Sequence, residues 1–172
     1  MTGEGRDKNP REQARQKAWR LLQIRPHSER ELRNKLRDRG FQPEVLDDVF
    51  EELKRYRYLD DAAYAIQTAR HLAVDRLLGN RRIVFYLREK GLNAELIAEA
   101  VAEARQAFSE EDALQRLIHI KMKNGPLSGP EDKVMQKVIR SLWGKGFSTG
   151  LIFEILKRMK KEEEDFNDQG RK

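Results

Sequence analysis

Arginine stands ten residues before a glycine twice in this sequence, as Arg30 before Gly40 and Arg81 before Gly91. It stands three residues before the same glycines as Arg37 and Arg88. Seven residues are two turns of an α-helix, so each pair shares a face. Arg33 joins the first stripe and Arg82 flanks the second. A third glycine, Gly146, has Gln136 and Trp143 at those places, and its basic residues are Lys133, Lys137 and Arg140, spaced i, i+4 and i+7 on a different face. Two chemistries fit such stripes. A row of cationic heads suits a polyanion, phosphate or carboxylate. The same heads can instead pair within the molecule, Glu29 with Arg33 or Arg88 with the third helix of its unit, and surface pairs of that sort are common and weak. Arg39, Lys90 and Lys145 directly precede the glycines, where a cation answers the negative end of a helix dipole.

Other chemistry is sparse. His27, His71 and His119 lie 44 and 48 residues apart, once per unit of the pattern described below, so a shared metal would need those units to fold onto one another. Asp60-Asp61 reads as a helix N-terminus and the run 162–165 as a solvated tail. No glycine-rich phosphate cradle of a known kind occurs. No nucleophile, base or metal set converges, so no enzyme activity, cofactor or metal is expected. Trp19, Tyr56, Tyr58, Tyr64, Tyr86 and Trp143 could stack on bases. Most lie at core spacing or at unit junctions and are expected to pack inward, Trp143 excepted.

The glycines belong to a repeat. Four residues before each is Leu36, Leu87 or Leu142, and eight before is Leu32, Ile83 or Val138. One residue after each is Phe41, Leu92 or Phe147, and six after is Leu46, Ile97 or Ile152. A pattern returning after 51 and then 55 residues marks tandem units. Within each unit the apolar spacing of 3, 4 and 7 is helical. The glycine ends one helix in the left-handed conformation, and the next helix starts at once at Pro43, Asn93 or Ser148. Ser28 to Glu31 has the form of a capping box, and Gly129-Pro130-Glu131-Asp132 of a helix start. A further helix opens each unit, over 11–24, 60–75 and 110–122. The expected fold is all-α, nine helices in three triplets: a leader over 1–10, units at 11–58, 59–108 and 109–161, and a charged tail over 162–172 that frays beyond Lys161.

The composition agrees with several small cores on wet helices: 172 residues, 38% hydrophobic and 37% charged. No apolar run reaches the length of a membrane helix, and the N-terminal residues lack the apolar stretch of a signal peptide. The absence of cysteine fits a reducing cytoplasm. The net charge of +6 permits contact with a polyanion without demanding it.

Three stretches resemble the RecX family of regulators of the bacterial RecA recombinase: AWRLLQIRPHSERELRNKLRDRGF over 18–41, Tyr58-Leu59-Asp60-Asp61-Ala62-Ala63-Tyr64-Ala65, and GNRRIVFYLREKGL over 79–92. The resemblance spans about residues 12–161. It departs at Ala63-Tyr64, where the family has Arg-Phe or similar, at Tyr86, where it often has Glu, and most in the third unit. It implies three three-helix repeats forming an elongated, curved body. It also implies a protein that lodges in the groove of the RecA–single-stranded DNA filament and restrains ATP hydrolysis, strand exchange and co-protease action. A monomer without membrane contact is expected.

A DNA-binding regulator of the helix-turn-helix type is the alternative, because a tight glycine turn joins the second and third helices of each unit. The third helices open QPEVLDD, NAELIAE and STGLIFE, which are apolar or acidic where a recognition helix should be polar and basic. A plain helical scaffold is the remaining class. For filament or DNA contact the candidates are Arg30, Arg33, Arg37, Arg81, Arg82, Arg88, Lys133, Lys137 and Arg140.

Overall fold

The computed structural model describes residues 9–122 and 132–169. The described chain is all-α. The first unit holds α1 (Pro10–Ile24), α2 (Glu29–Arg37) and α3 (Pro43–Arg55). The second holds α4 (Asp61–Arg70), which runs on as a π-helical turn over His71–Asp75, then α5 (Asn80–Glu89) and α6 (Ala94–Ala107). The third holds α7 (Glu110–Met122), α8 (Lys133–Gly144) and α9 (Thr149–Gln169).

Local chemistry sets these boundaries. Asn9 accepts from the Arg11 N–H at 3.1 Å, so the last residues of the expected leader open α1. Asp60 caps α4 through Ala62 and Ala63, Asn93 caps α6 through Leu96, and Asp132 caps α8 through Val134 and Met135. The rest of the leader, the stretch KNGPLSGP and residues Gly129 to Glu131 of the expected helix start lie outside the described residues. The tail does not fray at Lys161: α9 continues to Gln169. That extension opens with three glutamates, Glu162 to Glu164, a residue type that loses little side-chain freedom in a helix.

The anchoring glycines end the second helices as expected. Gly40, Gly91 and Gly146 have φ of 88°, 85° and 96°, where any side chain would be strained. In each turn the glycine N–H bonds three residues back and the next N–H five back, as in Gly91 to Arg88 at 2.9 Å and Leu92 to Leu87 at 3.3 Å.

Each unit encloses its own core. Leu32, Leu36, Val49 and Phe50 anchor the first, Ile83, Leu87 and Ala100 the second, and Leu142, Phe147, Ile152 and Ile155 the third. In all three the first helix packs on the third: α1 on α3, α4 on α6, α7 on α9. Leu36, Leu87 and Leu142 are fully buried, so the three leucines four before the glycines occupy one equivalent place. Two core residues come from outside their units: Leu59, just past the first unit, closes the first core. Leu77, after the π-helical turn, takes a positive φ of 49° and joins the third core.

Candidate basic interface along the second helices

The units meet through the second helices. Ser28, the N-cap of α2, is fully buried and donates its hydroxyl to the Lys90 carbonyl in the glycine turn after α5, at 2.7 Å. At the next junction the Gly79 N–H donates to the Lys145 carbonyl in the turn after α8, at 3.0 Å. Each junction has a second bond. The Glu29 N–H donates to Asp61 at 2.8 Å, and the Asn80 N–H to Glu110 at 2.7 Å. Asp61 and Glu110 each open the first helix of the following unit, so they satisfy a free donor of the preceding unit's second helix. Asn80 also bonds Glu110 through its side chain, and Arg105 ties the segment down by donating to Asn80 at 2.8 Å and to the Leu78 carbonyl at 2.6 Å.

These contacts set the second helices end to end, with α2 starting on the C-terminal turn of α5 and α5 starting on that of α8. Positive helix ends thereby meet negative ones. The fit is close. Gly79 lies directly on the backbone of Gly146 and Phe147, the stem of Arg30 crosses Gly91, and Arg82 lies against Gly146. Gly40, at the end of the rail as described, has nothing within 4 Å of where a Cβ would stand. The lysines before the glycines do more than answer a dipole. Lys90 pairs with Glu31 of the first unit at 2.9 Å, and Lys145 donates to the Arg76 carbonyl of the second at 3.1 Å.

Charge is sorted by helix. Along this rail, α2 has four basic and two acidic residues, α5 three and one, and α8 three and none. The third helices are the reverse: α3 has five acidic and two basic residues, α6 three and one, and α9 six and four.

The structure divides the candidate cations. Arg33 is committed internally, to Asp47 at 2.7 Å and Glu29 at 3.3 Å, with its guanidinium over the Phe50 ring at 4.5 Å. Arg30 is exposed beyond its stem, and Arg37 reaches only Asn34, at 3.3 Å. Arg82 packs at the junction and lies over Phe85, 5.5 Å from the ring centroid. Arg81, Arg88, Lys133, Lys137 and Arg140 are exposed, with no hydrogen-bond or ion-pair partner among the described residues. The pairing of Arg88 with the third helix, α6, does not form. Arg140 lies four residues after Gln136 and three before Trp143, so it belongs to the same stripe as those positions, flanked by Lys133 and Lys137.

Other expectations need correction. Of the six tyrosines and tryptophans named above, only Tyr64 is in the core. Tyr56 and Tyr58 follow the end of α3, past its last core residue Leu53, and Leu59 takes the next core place instead. Trp19 meets Tyr58 edge-on at 4.7 Å on the rim of an open groove of about 490 Å³ between α1 and α3. Sequence reasoning also passed over Phe85. It sits between Arg81 and Arg88 on their stripe and is 53% exposed. Its mismatch with the charged positions around it was the available signal.

The histidines are held locally. His27 is buried, donates from Nδ1 to the Arg25 carbonyl at 2.9 Å, and accepts the Lys35 ammonium at Nε2 at 3.0 Å. Burial, aided by the nearby cations, keeps its pKa below the ordinary value. His71 bonds Asp75 and His119 the Gln115 carbonyl. Among the described residues no helix is long and apolar enough to cross a membrane.

Known proteins share this arrangement. Residues 14–53 match the family model described as RecX, first three-helix domain, and residues 60–101 that described as RecX, second three-helix domain. A regulatory protein RecX of Mycolicibacterium smegmatis is 28% identical over 84% of this chain and 78% of its own length. One of Syntrophotalea carbinolica is 25% identical over 84% of this chain and 95% of its own. A crystal structure of a regulatory protein RecX superposes with a TM-score of 0.73 at 23% identity, covering 92% of this chain and 82% of that one. That of RecX from Lactobacillus salivarius gives 0.73 at 18%, covering 87% and 96%. These two share the fold. With both family models matched in order and full-length relatives aligned over most of their chains, the chain belongs to the RecX family of regulatory proteins.

Proposed function

We propose that this protein modulates the RecA recombinase by lodging in the groove of the RecA–single-stranded DNA filament, where it restrains ATP hydrolysis, strand exchange and co-protease action. It would act in the cytoplasm as a monomer, in the control of homologous recombination and the SOS response. The units at 11–58, 59–108 and 109–161 would bring equivalent faces to successive places along the filament. Family membership supports this reading. The structural observation that supports it is the rail of second helices, which presents cations with no ion-pair partner among the described residues: Arg30 and Arg37 and, at the equivalent places, Arg81 and Arg88, with Arg140 on the corresponding stripe of α8. A groove lined by phosphate and acidic protein suits such a surface. The protein would need no catalytic activity of its own, in keeping with relatives named as regulatory proteins.

The helix-turn-helix alternative is weaker. The third helices would enter a DNA groove by their first turns, and α3 and α6 carry Glu44 and Glu95 there. The test is to mix the purified protein with RecA, ATP and single-stranded DNA and follow ATP hydrolysis. Hydrolysis should fall as the protein is added. No change at any ratio would remove the reading.

A further inference from the structure

Phe85 and Trp143 are, respectively, 53% and 56% exposed. Single exposed aromatics are ordinary and need no explanation. These two differ in where they stand. Phe85 lies on the stripe between Arg81 and Arg88, and Trp143 ends the corresponding stripe of α8, one turn beyond Arg140. Those three arginines have no partner among the described residues. The two aromatics also bracket one junction. Arg82 lies against Gly146; Phe85 is one helical turn after Arg82, and Trp143 one turn before Gly146. Three residues on either side of the contact amount to about 9 Å along the rail. Bases stacked at a rise of about 3.4 Å would cover that span with three or four nucleotides.

Resting on the filament reading above, we infer that the junction between α5 and α8 is a stacking site for the unpaired bases of single-stranded DNA, with Phe85 and Trp143 as the platforms and Arg81, Arg88 and Arg140 on the phosphates. Cations alternating with exposed rings are what a sequence-tolerant single-strand site requires, because every base has a π-face and every nucleotide a charge. An acidic protein surface would use the arginines but leave both rings without a matching group. The charge of the rail favours the same occupant: α8 carries no carboxylate, and α5 carries only Glu89. The first unit has Asn34 at the place of Phe85, so it can supply phosphate contacts without a platform.

The test uses the full chain without RecA. Trp19 is the only other tryptophan and lies outside the site, so a Trp19→Phe chain makes Trp143 the sole indole reporter. Titration with an oligothymidylate of about twenty nucleotides should quench its fluorescence to saturation. Phe85→Leu and Trp143→Leu, made in the parent chain with helix content checked, should each weaken binding about tenfold with the salt slope unchanged. Arg81→Ala and Arg88→Ala should each lower that slope by about one. The inference is overturned if the parent does not bind the oligonucleotide, or if both leucine variants bind it as well as the parent. Loss of RecA restraint in the leucine variants without loss of oligonucleotide binding would likewise overturn it, making the rings protein contacts. Failure here with RecA still restrained by the parent leaves the filament reading standing. Binding here without any effect on RecA removes that reading alone.

Discussion

The hydroxyl of Ser28 and the carbonyl of Lys90, 62 residues apart in sequence, form a 2.7 Å hydrogen bond that closes the first junction between units. Gly79 and Lys145 repeat the relationship at the second junction, with a backbone N–H in place of the hydroxyl. The second helices are thus joined end to end by bonds between one helix's first residue and the next one's last turn. The consequence is functional as well as structural. Whatever the recurring arginines meet, they meet it in a fixed register.

That register is testable at Gly79. Its φ of −72° suits any residue, so alanine there adds no backbone strain. Its Cβ would run into the backbone of Gly146 and Phe147, which cannot rotate aside. Gly79→Ala should cost roughly 1–3 kcal/mol and loosen the third unit from the second. Gly40→Ala is the contrast: φ is 88° but the space is open, so only the conformational cost of about 1 kcal/mol applies. Urea unfolding gives the energies. Hydrogen exchange at the Gly79 amide should speed up only in the first variant.

The equivalent leucines give a second check. Leu36, Leu87 and Leu142 are fully buried in separate cores. Truncating each to alanine should destabilise by roughly 2–5 kcal/mol, with amide protection lost first in the unit that carries the change.

Acid stability should show two steps. Glu31 is 12% exposed and receives Arg25 at 2.7 Å and Lys90 at 2.9 Å. Burial alone would raise its pKa, but the hydrogen bonds from Arg25 and Lys90 outweigh it and hold the carboxyl at about 2. A depressed carboxyl stabilises fully above its unfolded value of about 4.5, and that stability is lost as pH falls towards 2. The shift corresponds to roughly 3 kcal/mol. Glu31→Gln should therefore be destabilised at pH 7, and the difference from the parent should shrink towards pH 2. His27 acts at higher pH. Its imidazole, neutral in the fold and depressed by burial, favours the folded state above about 6.5, and that contribution is lost on acidification. Urea midpoints across pH 2–8 separate the two.

The junctions mark where sequence reasoning stopped. Leucine spacing, the glycine turns and the caps at Asn93 and Ser28 follow from rules that act within one or two helical turns, and they were legible. In sequence, Asp61 reads as a helix start. It does open α4, but its carboxylate faces Glu29 across the junction. Nothing local announces a partner 32 residues away. For the same reason the dipole of their own helices suffices, in sequence, to account for Lys90 and Lys145, whose partners lie in the preceding unit. At the candidate site the arginine stripes were visible because they repeat with the glycines. Phe85 was not, because it has no counterpart in the first unit, where Asn34 stands.

The candidate cations should separate by what they do for the fold. Arg33 holds Glu29 and Asp47 and covers Phe50, so Arg33→Ala should lower stability, with any loss of RecA restraint following from that. Arg82 stands at the junction over Gly146, so it too reports packing. Arg81 and Arg88 have no partner among the described residues, and the doubly substituted Arg81→Ala, Arg88→Ala chain should keep its helix content and urea midpoint. If both residues meet phosphate, its binding to the RecA–DNA filament should lose about two units of salt slope, and restraint of ATP hydrolysis should weaken most at low salt. If they meet acidic protein at the rim, association should slow while dissociation changes little. A double variant that restrains RecA as strongly as the parent across the salt range would remove α5 from the functional surface. It would leave α2 and α8 as the only parts of the rail still to be tested.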